Sequence, residues 1–149
     1  KQLNYIQRKL MDINYHIYGS NKYLEKHGMP KSINDLSKHN FISFGRGAPS
    51  PVFNPDWALK LGIKDNKKRK PVMKVNSVMG LLLAVESGVG LAALPDYLVS
   101  LSRNVIKVLP SVEGPITEAH FVFPESLKNV ARVTTFRNFL YSKISEFKS

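Results

Sequence analysis

Few side chains in this sequence combine the type and the spacing that catalysis or metal binding requires. The 149 residues contain no cysteine, so the strongest candidate ligands for a transition metal are four histidines. These histidines are remote from one another, and none has the i, i+4 or HExxH spacing of a metal site. We therefore expect neither a metal site nor a cofactor; the histidines are His16, His27, His39 and His120.

One glycine-containing segment formally fits a nucleotide-binding fingerprint. Gly88 to Ala93 has the spacing GxGxxA, which in dinucleotide-binding proteins follows a strand and opens a helix. Here a helical pattern precedes the glycines and a strand pattern follows them, so the segment predicts a structural turn. No serine lies in a recognisable nucleophile motif. The GxSxG elbow requires glycine two residues before the serine, and Ser87 has Val85 at that position. Since the carboxylates are few and scattered, we expect no enzyme activity.

Polar residues at two predicted helix starts are better candidates for a binding site. Ser20 follows the first clear strand, and Asn76 and Ser77 precede an apolar helix. Unpaired amides at a helix start attract an anion or a carboxylate, which favours a ligand site at these points. The alternative is that these residues only cap their helices, as serine and asparagine commonly do. The two roles are compatible.

The stretch around the second helix start predicts one continuous buried unit. Its apolar residues recur at the three-and-four spacing of one helical face, and the other faces are apolar too, which predicts a helix buried on all sides. Gly88 is a natural residue to end this helix. Val89–Leu94 then reads as a covered strand, and Pro95 opens the next helix. The residues on the first face are Val78, Leu81, Leu82 and Val85.

The remaining elements alternate between strand and helix patterns, which indicates an α/β fold with largely parallel pairing. Gly45 to Pro55 reads as a loop. The last helix begins near Asn129 and places one apolar stripe toward the core, formed by Val133, Phe136, Leu140, Ile144 and Phe147. Predicted strands lie at 12–18, 41–44, 71–75, 105–109 and 118–123, and a further helix at 21–27.

The composition is that of a globular chain, with 43% hydrophobic and 22% charged residues. No run of about eighteen apolar residues occurs, so we expect a cytoplasmic chain with no membrane partner. The formal net charge is +11, and its one real cluster is Lys67–Lys70. We interpret the cluster as a solvated loop, with contact to nucleic-acid phosphates as the alternative.

Several segments together resemble the effector-binding domain of LysR-type transcriptional regulators. The helix, glycine turn, strand and Leu-Pro-Asp-Tyr-Leu order of residues 74–98 has the family's arrangement, and Ser20–Pro30 is similar to its SPxYLxxHGxP segment. Val108–Pro110, Phe121–Pro124 and the segment 132–140 are similar to its closing segments. The resemblance extends from about Leu10 to the C-terminus. The family's winged helix-turn-helix, its linker helix and the first strands of the effector domain have no counterpart.

The resemblance implies a periplasmic-binding-protein-like (type II) fold of two lobes, with the first lobe incomplete. Residues 17–94 would form the second lobe, and 1–16 with 95–149 would form part of the first lobe and the crossovers. An incomplete lobe should expose apolar surface. By the family layout the effector contacts would be Ser20, Ser43, Phe44, Gly45, Asn76, Ser77, Phe121 and Val122.

The function implied is effector sensing within a homo-oligomeric regulator. A small molecule, such as a carboxylate or another anion, would bind between the lobes, and DNA would be contacted only through the absent N-terminal domain. Two other classes stay open. A solute-binding protein of a transporter shares the fold class, and a basic nucleic-acid-binding module would use Lys67–Lys70. An enzyme is the third alternative.

Overall fold

The computed structural model describes residues 4–45, 56–64 and 67–146. The strands are β1 (Tyr5–Ser20), β2 (Ile42–Phe44), β3 (Met73–Val75), β4 (Ala92–Pro95), β5 (Val105–Val108) and β6 (Ile116–Pro124). The helices are α1 (Asn21–His27), α2 (Trp57–Lys60), α3 (Val78–Glu86), α4 (Asp96–Val99) and α5 (Ala131–Glu146). Two 3-10 turns add Ile33–Lys38 and Glu125–Leu127. Most of the loop predicted at 45–55, and Phe147 of the predicted apolar stripe, lie outside the described residues.

The chain divides into two compact units of unequal size. Unit 1 consists of Lys1–Ile13 and Thr117–Ser149, and unit 2 of Asn14–Ile116. Residues 95–116 thus group with unit 2, whereas the resemblance placed them with the first lobe and the crossovers. The predicted lobe division at about 17 and 94 stays a prediction.

The main sheet of unit 2 is antiparallel, and the expectation of largely parallel pairing was wrong there. β1 is the middle strand, with His16 opposite Leu94 of β4 and Tyr18 opposite Lys107 of β5. Both neighbours therefore pair with one long strand that is distant from them in sequence, rather than with each other. Whether two strands pair in parallel depends on the direction in which each one crosses the sheet, which the sequence pattern does not contain. β2 and β3 do pair in parallel.

Helix α3 supplies one face, not all of its faces, to the core of unit 2. Leu81, Leu82 and Val85 are buried, whereas Met79 is 48% and Leu83 55% exposed. The prediction of burial on all sides was therefore wrong for one stripe of the helix, because the core packs against α3 from one side only. The buried cluster around α3 also contains Tyr18, Ile42, Ala92, Leu94, Leu98, Val99 and Val105.

The glycine segment after α3 is a structural turn, as predicted. Gly88 has φ +79°, a conformation that favours glycine, and its N–H donates to Val85 O at 2.9 Å. Gly90 permits a close backbone approach, since a Cβ there would lie 2.6 Å from Asn40 O. The GxGxxA spacing therefore serves chain reversal and packing.

Unit 1 contains a β-ribbon and the long helix α5. In this unit β6 pairs with β1, and Tyr141 of α5 donates its hydroxyl to Lys9 O at 2.9 Å. None of the sixteen residues of α5 is buried. Phe136, predicted to face the core, is 52% exposed, and Phe139 is 53% exposed. The predicted apolar stripe of α5 is therefore left largely uncovered by the described residues of unit 1.

Candidate effector site

The ends of β2 and β3 meet the start of α3 and bring five predicted site residues together. In the parallel register Ser43 lies opposite Lys74, and Phe44 lies opposite Val75. Gly45 extends this pairing, because its N–H donates to Val75 O at 2.8 Å. The carboxyl ends of both strands therefore point the same way, with Asn76 and Ser77 leading directly into α3.

Ser77 caps α3, as predicted from its position. Its backbone is extended, with φ −136° and ψ 133°, and its Oγ accepts a hydrogen bond from the N–H of Gly80 at 3.3 Å. Both Ser77 and the neighbouring Asn76 are exposed. The cap uses one acceptor lone pair of Ser77, so the hydroxyl proton of this side chain is still available to a ligand.

The charges at this point favour a negatively charged ligand. Helix α3 is nine residues long, and its first turn carries the partial positive charge of unpaired N–H groups. Lys74, the residue opposite Ser43, is exposed and adds a full positive charge one strand position before Val75. Exposed hydroxyl and amide groups beside a cation and a helix start suit a carboxylate.

Ser20 lies elsewhere in unit 2. It caps α1 by accepting from the N–H of Tyr23 at 3.3 Å, and only 1% of its surface is exposed. A Cβ on Gly88 would lie 3.8 Å from Ser20 Oγ, which places Ser20 beside the end of α3. The start and the end of a nine-residue helix are about 13 Å apart. The structure therefore does not bring Ser20 together with Ser77.

The last two predicted contact residues belong to unit 1. Phe121 of β6 packs against Phe123, with ring centroids 5.3 Å apart, and against Phe136 of α5, with centroids 5.9 Å apart. Val122, whose side chain points to the opposite face of the strand, is 48% exposed. Phe121 is thus part of an aromatic cluster of unit 1.

A cluster of four polar residues in unit 2 escaped the sequence analysis. The carboxylate of Asp96, at the start of α4, accepts from the hydroxyl of Tyr18 at 2.8 Å and from Lys107 Nζ at 3.2 Å. His16 Nδ1 lies 2.8 Å from the same carboxylate. His16 and Tyr18 are 9% and 4% exposed, so the cluster is built into the sheet.

The cluster shifts the pKa of two of its members. Burial alone would raise the pKa of Asp96, but the hydrogen bonds from His16, Tyr18 and Lys107 outweigh it and hold that pKa below its ordinary value. Burial, and then the bond to the Asp96 carboxylate, raises the pKa of the Tyr18 hydroxyl. Asp96 is therefore an anion at neutral pH, and Tyr18 keeps its proton. The sequence places His16 and Tyr18 two residues apart on one face of a strand. It does not reveal their shared partner Asp96, which lies about 80 residues away.

The basic run at Lys67–Lys70 is partly engaged within the protein. Arg69 Nη1 donates to Leu61 O at 2.6 Å at the end of α2, and its guanidinium lies over the ring of Phe41, 5.5 Å from the centroid. Lys68 pairs with Asp56. Two of the four cationic side chains are therefore committed to internal contacts.

Within residues 4–45, 56–64 and 67–146, no group of three or more histidine, aspartate or glutamate side chains is placed to hold a metal ion. In the same ranges, no helix combines the length and the apolar character needed to cross a membrane.

Comparisons with known proteins agree on one family. The family model of the LysR substrate binding domain matches residues 2–144. An HTH-type transcriptional regulator of Haemophilus influenzae is 28% identical over 134 residues, which are 87% of this chain and 45% of that protein. The HTH-type transcriptional regulator CrgA of Neisseria meningitidis is 30% identical over 103 residues, or 69% of this chain and 33% of CrgA.

Solved structures show the same fold. The regulatory domain of CrgA from Neisseria meningitidis superposes with a TM-score of 0.76 at 24% identity, over 93% of this chain and 68% of that one. The regulatory domain of AphB from Vibrio vulnificus gives a TM-score of 0.64 at 16% identity, over 96% and 70%. Both are LysR-type regulatory domains, which have the periplasmic-binding-protein-like type II fold.

The match to the family model covers nearly the whole chain, and the fold agrees with it. The chain spans less than half the length of the curated relatives that it matches. It carries the substrate-binding, or effector-binding, domain of a transcriptional regulator. The chain belongs to the LysR family, as the resemblance of its motifs predicted.

Proposed function

We propose that this chain senses a small carboxylate, which binds in unit 2 where β2, β3 and α3 meet. The observation that carries the proposal is the convergence of Ser43, Phe44 and Gly45 with Asn76 and Ser77 at the ends of two parallel strands. In open α/β folds, ligands bind in the crevice beyond the carboxyl ends of parallel strands.

The donors at this point match what a carboxylate accepts. Its oxygens would take hydrogen bonds from the first-turn amides of α3 and from the Ser77 hydroxyl, while Lys74 supplies the counter-charge. Phe44 and Val75, opposite each other, pack against the core beside α3 on the face of β3 opposite to Lys74. Both are only half-buried, and their uncovered parts would offer an apolar surface to the rest of the ligand. A site with convergent polar groups on an apolar wall is typical of small-molecule binding.

Binding would act on transcription through the arrangement of a homo-oligomer. Regulators of this family bind small-molecule effectors and form oligomers. A ligand that binds one arrangement of the oligomer more tightly would shift the population toward it. We assign contact with DNA to the helix-turn-helix part for which the curated relatives are named, and we place the protein in the cytoplasm.

A matched pair of substitutions at Ser77 tests the proposal. Asparagine and aspartate both cap helices as well as serine does, so Ser77→Asn and Ser77→Asp should leave α3 intact. Only Ser77→Asp adds a negative charge that repels a carboxylate. A thermal-shift screen of mono- and dicarboxylates, followed by calorimetric titration of the best one, measures binding.

The proposal predicts that Ser77→Asn keeps the affinity within a few-fold, while Ser77→Asp weakens it by about tenfold or more. Lys74→Gln should also weaken binding, whereas Lys22→Gln, which removes an exposed lysine beside Gly88 at the far end of α3, should not. Equal affinity of the two Ser77 variants for the carboxylate would contradict the proposed site.

A further inference from the structure

We infer that unit 2 carries a basic surface that contacts the phosphate backbone of duplex DNA without reading its sequence. This contact would add to that of the helix-turn-helix part for which the curated relatives are named. Residues 56–74 contain seven of the chain's 22 lysine and arginine residues but only two of its 11 acidic residues. Four of these lysines, which form the basic patch, are Lys60, Lys64, Lys67 and Lys70.

One side chain of the basic run holds that run against α2. Arg69 Nη1 donates to Leu61 O at 2.6 Å and to Leu59 O at 3.4 Å. The same guanidinium lies over the ring of Phe41, which is only 1% exposed. These contacts fix the backbone on either side of Arg69. The neighbouring lysines therefore project from a defined place on the surface of unit 2 rather than from a free loop.

Backbone hydrogen bonds bring lysines from both segments together. Arg69 N–H donates to Leu59 O at 2.9 Å. The next residues in the two segments, Lys60 and Lys70, are therefore neighbours. A turn after α2, closed by a hydrogen bond of 3.1 Å to Lys60 O, keeps Lys64 close to Lys60. The fold thus gathers positive charges that are up to ten positions apart in the sequence.

The charge of the basic patch is not neutralised within the described part of the chain. All four lysines are exposed, and no ion pair joins any of them to another described residue. Asp56 is the one acidic residue among the described residues of 56–74, and it pairs with Lys68. The patch therefore keeps its full positive charge and should attract a polyanion.

The composition of the surface favours DNA over a protein partner. None of the large apolar side chains in 56–64 and 67–70 is exposed. Protein interfaces are built around a desolvated apolar or aromatic centre, which this surface lacks. Lysine is a point charge on a flexible stem, and its contacts to phosphates carry no base preference. Because the chain belongs to a family of transcriptional regulators, duplex DNA is the polyanion that fits.

A pair of variants with the same net charge tests the inference. The patch variant replaces its four lysines with glutamine, as Lys60→Gln, Lys64→Gln, Lys67→Gln and Lys70→Gln. The control variant changes four other exposed lysines in the same way, namely Lys22, Lys26, Lys31 and Lys128. Since all eight side chains are exposed, both variants should fold. Fluorescence anisotropy of a labelled duplex of arbitrary sequence, at about 50 to 200 mM KCl, measures binding.

The patch variant should lose both affinity and salt dependence. We expect the slope of log K against log salt to become shallower by about 3 to 4, and the affinity at the lowest salt to fall by about tenfold or more. The control variant should keep the slope and stay within a few-fold of the wild-type affinity.

Three results would overturn the assignment. Equal slopes for the two variants would show that binding follows net charge alone. Absence of measurable duplex binding by the wild type at the lowest salt would show that the patch does not hold DNA. Tighter binding of a labelled polyglutamate of the same charge than of the duplex would show that the surface suits an acidic protein instead.

Discussion

The helices α3 and α5 show how differently the two units use similar sequence patterns. Helix α3 has nine residues and buries Leu81, Leu82 and Val85 against two sheets. Helix α5 has sixteen residues and carries four apolar positions of the predicted stripe, yet none of its residues is buried. A helical stripe becomes a core only where neighbouring elements cover it, so burial in this protein is decided by the surroundings of each helix.

The polar contacts of the two units differ in the same way, since those of unit 2 are partly buried and those of unit 1 are exposed. In unit 2 the Asp96 carboxylate bonds to three side chains, two of which are buried in the sheet. In unit 1, Lys9 pairs with Asp12 and Glu118 at 2.7 Å, but all three side chains are close to half exposed. Exposed ion pairs contribute little to stability, whereas a buried network fixes the positions of its members. The Asp96 network therefore fixes the side chains that it joins, whereas the ion pairs of Lys9 do not.

The largest expected effect on stability distinguishes α3 from α5. Leu82→Ala removes a fully packed side chain from unit 2 and should lower the free energy of unfolding by about 3 kcal/mol. Leu140→Ala, the matched change at a half-buried position of α5, should cost about 1 kcal/mol. Urea denaturation followed by circular dichroism measures both values. Equal costs would mean that α5 is covered as well as α3 is.

A smaller effect is expected from the polar contacts. Asp96→Asn keeps the shape of the side chain but removes the charge that accepts from His16, Tyr18 and Lys107. We expect a loss of about 1 to 2 kcal/mol, since the carboxylate is 34% exposed. Glu118→Gln should change the free energy of unfolding by less than about 0.5 kcal/mol. Similar losses for the two variants would remove the distinction drawn between the units.

Acid titration sharpens the same comparison. The pKa of Asp96 is lower in the folded protein than in the unfolded chain, so its contribution to stability is complete above the unfolded value, near 3.9. The contribution is lost as the pH falls from there through the folded pKa. Urea denaturation across this pH range should show a shallower loss of stability for Asp96→Asn than for the wild type. Parallel curves would contradict the lowered pKa.

The smallest effect on folding is expected at the exposed aromatic residues of unit 1. Phe136→Gln should change the free energy of unfolding by less than about 1 kcal/mol, because half of the ring already faces water. It should reduce self-association, measured by sedimentation velocity, because it removes exposed apolar surface. Phe123→Gln, at a ring only 7% exposed in the same cluster, should instead destabilise the fold. Unchanged self-association of Phe136→Gln would show that this surface plays no part in it.

Local patterns predicted most elements of the fold but not their partners. The strand expected at 12–18 exists but starts at Tyr5, because pairing with distant segments extends it beyond the alternating residues. The caps at Ser20 and Ser77 followed from residue type, which acts over one helical turn. The Asp96 cluster depends on contacts between residues about 80 positions apart, and no local pattern contains that information. Exposure of Met79 and Leu83 likewise depends on what packs against α3.

The central claim, that a carboxylate binds at the start of α3, is tested most directly by mapping backbone amide shifts in ¹⁵N-labelled protein. The ligand is the carboxylate that raises the melting temperature most. We predict the largest shifts at Gly45 and at the amides of 76–80, with Ser20 and Asn21 little changed. Shifts centred on Ser20, or absent from the start of α3 at saturation, would contradict the proposed site.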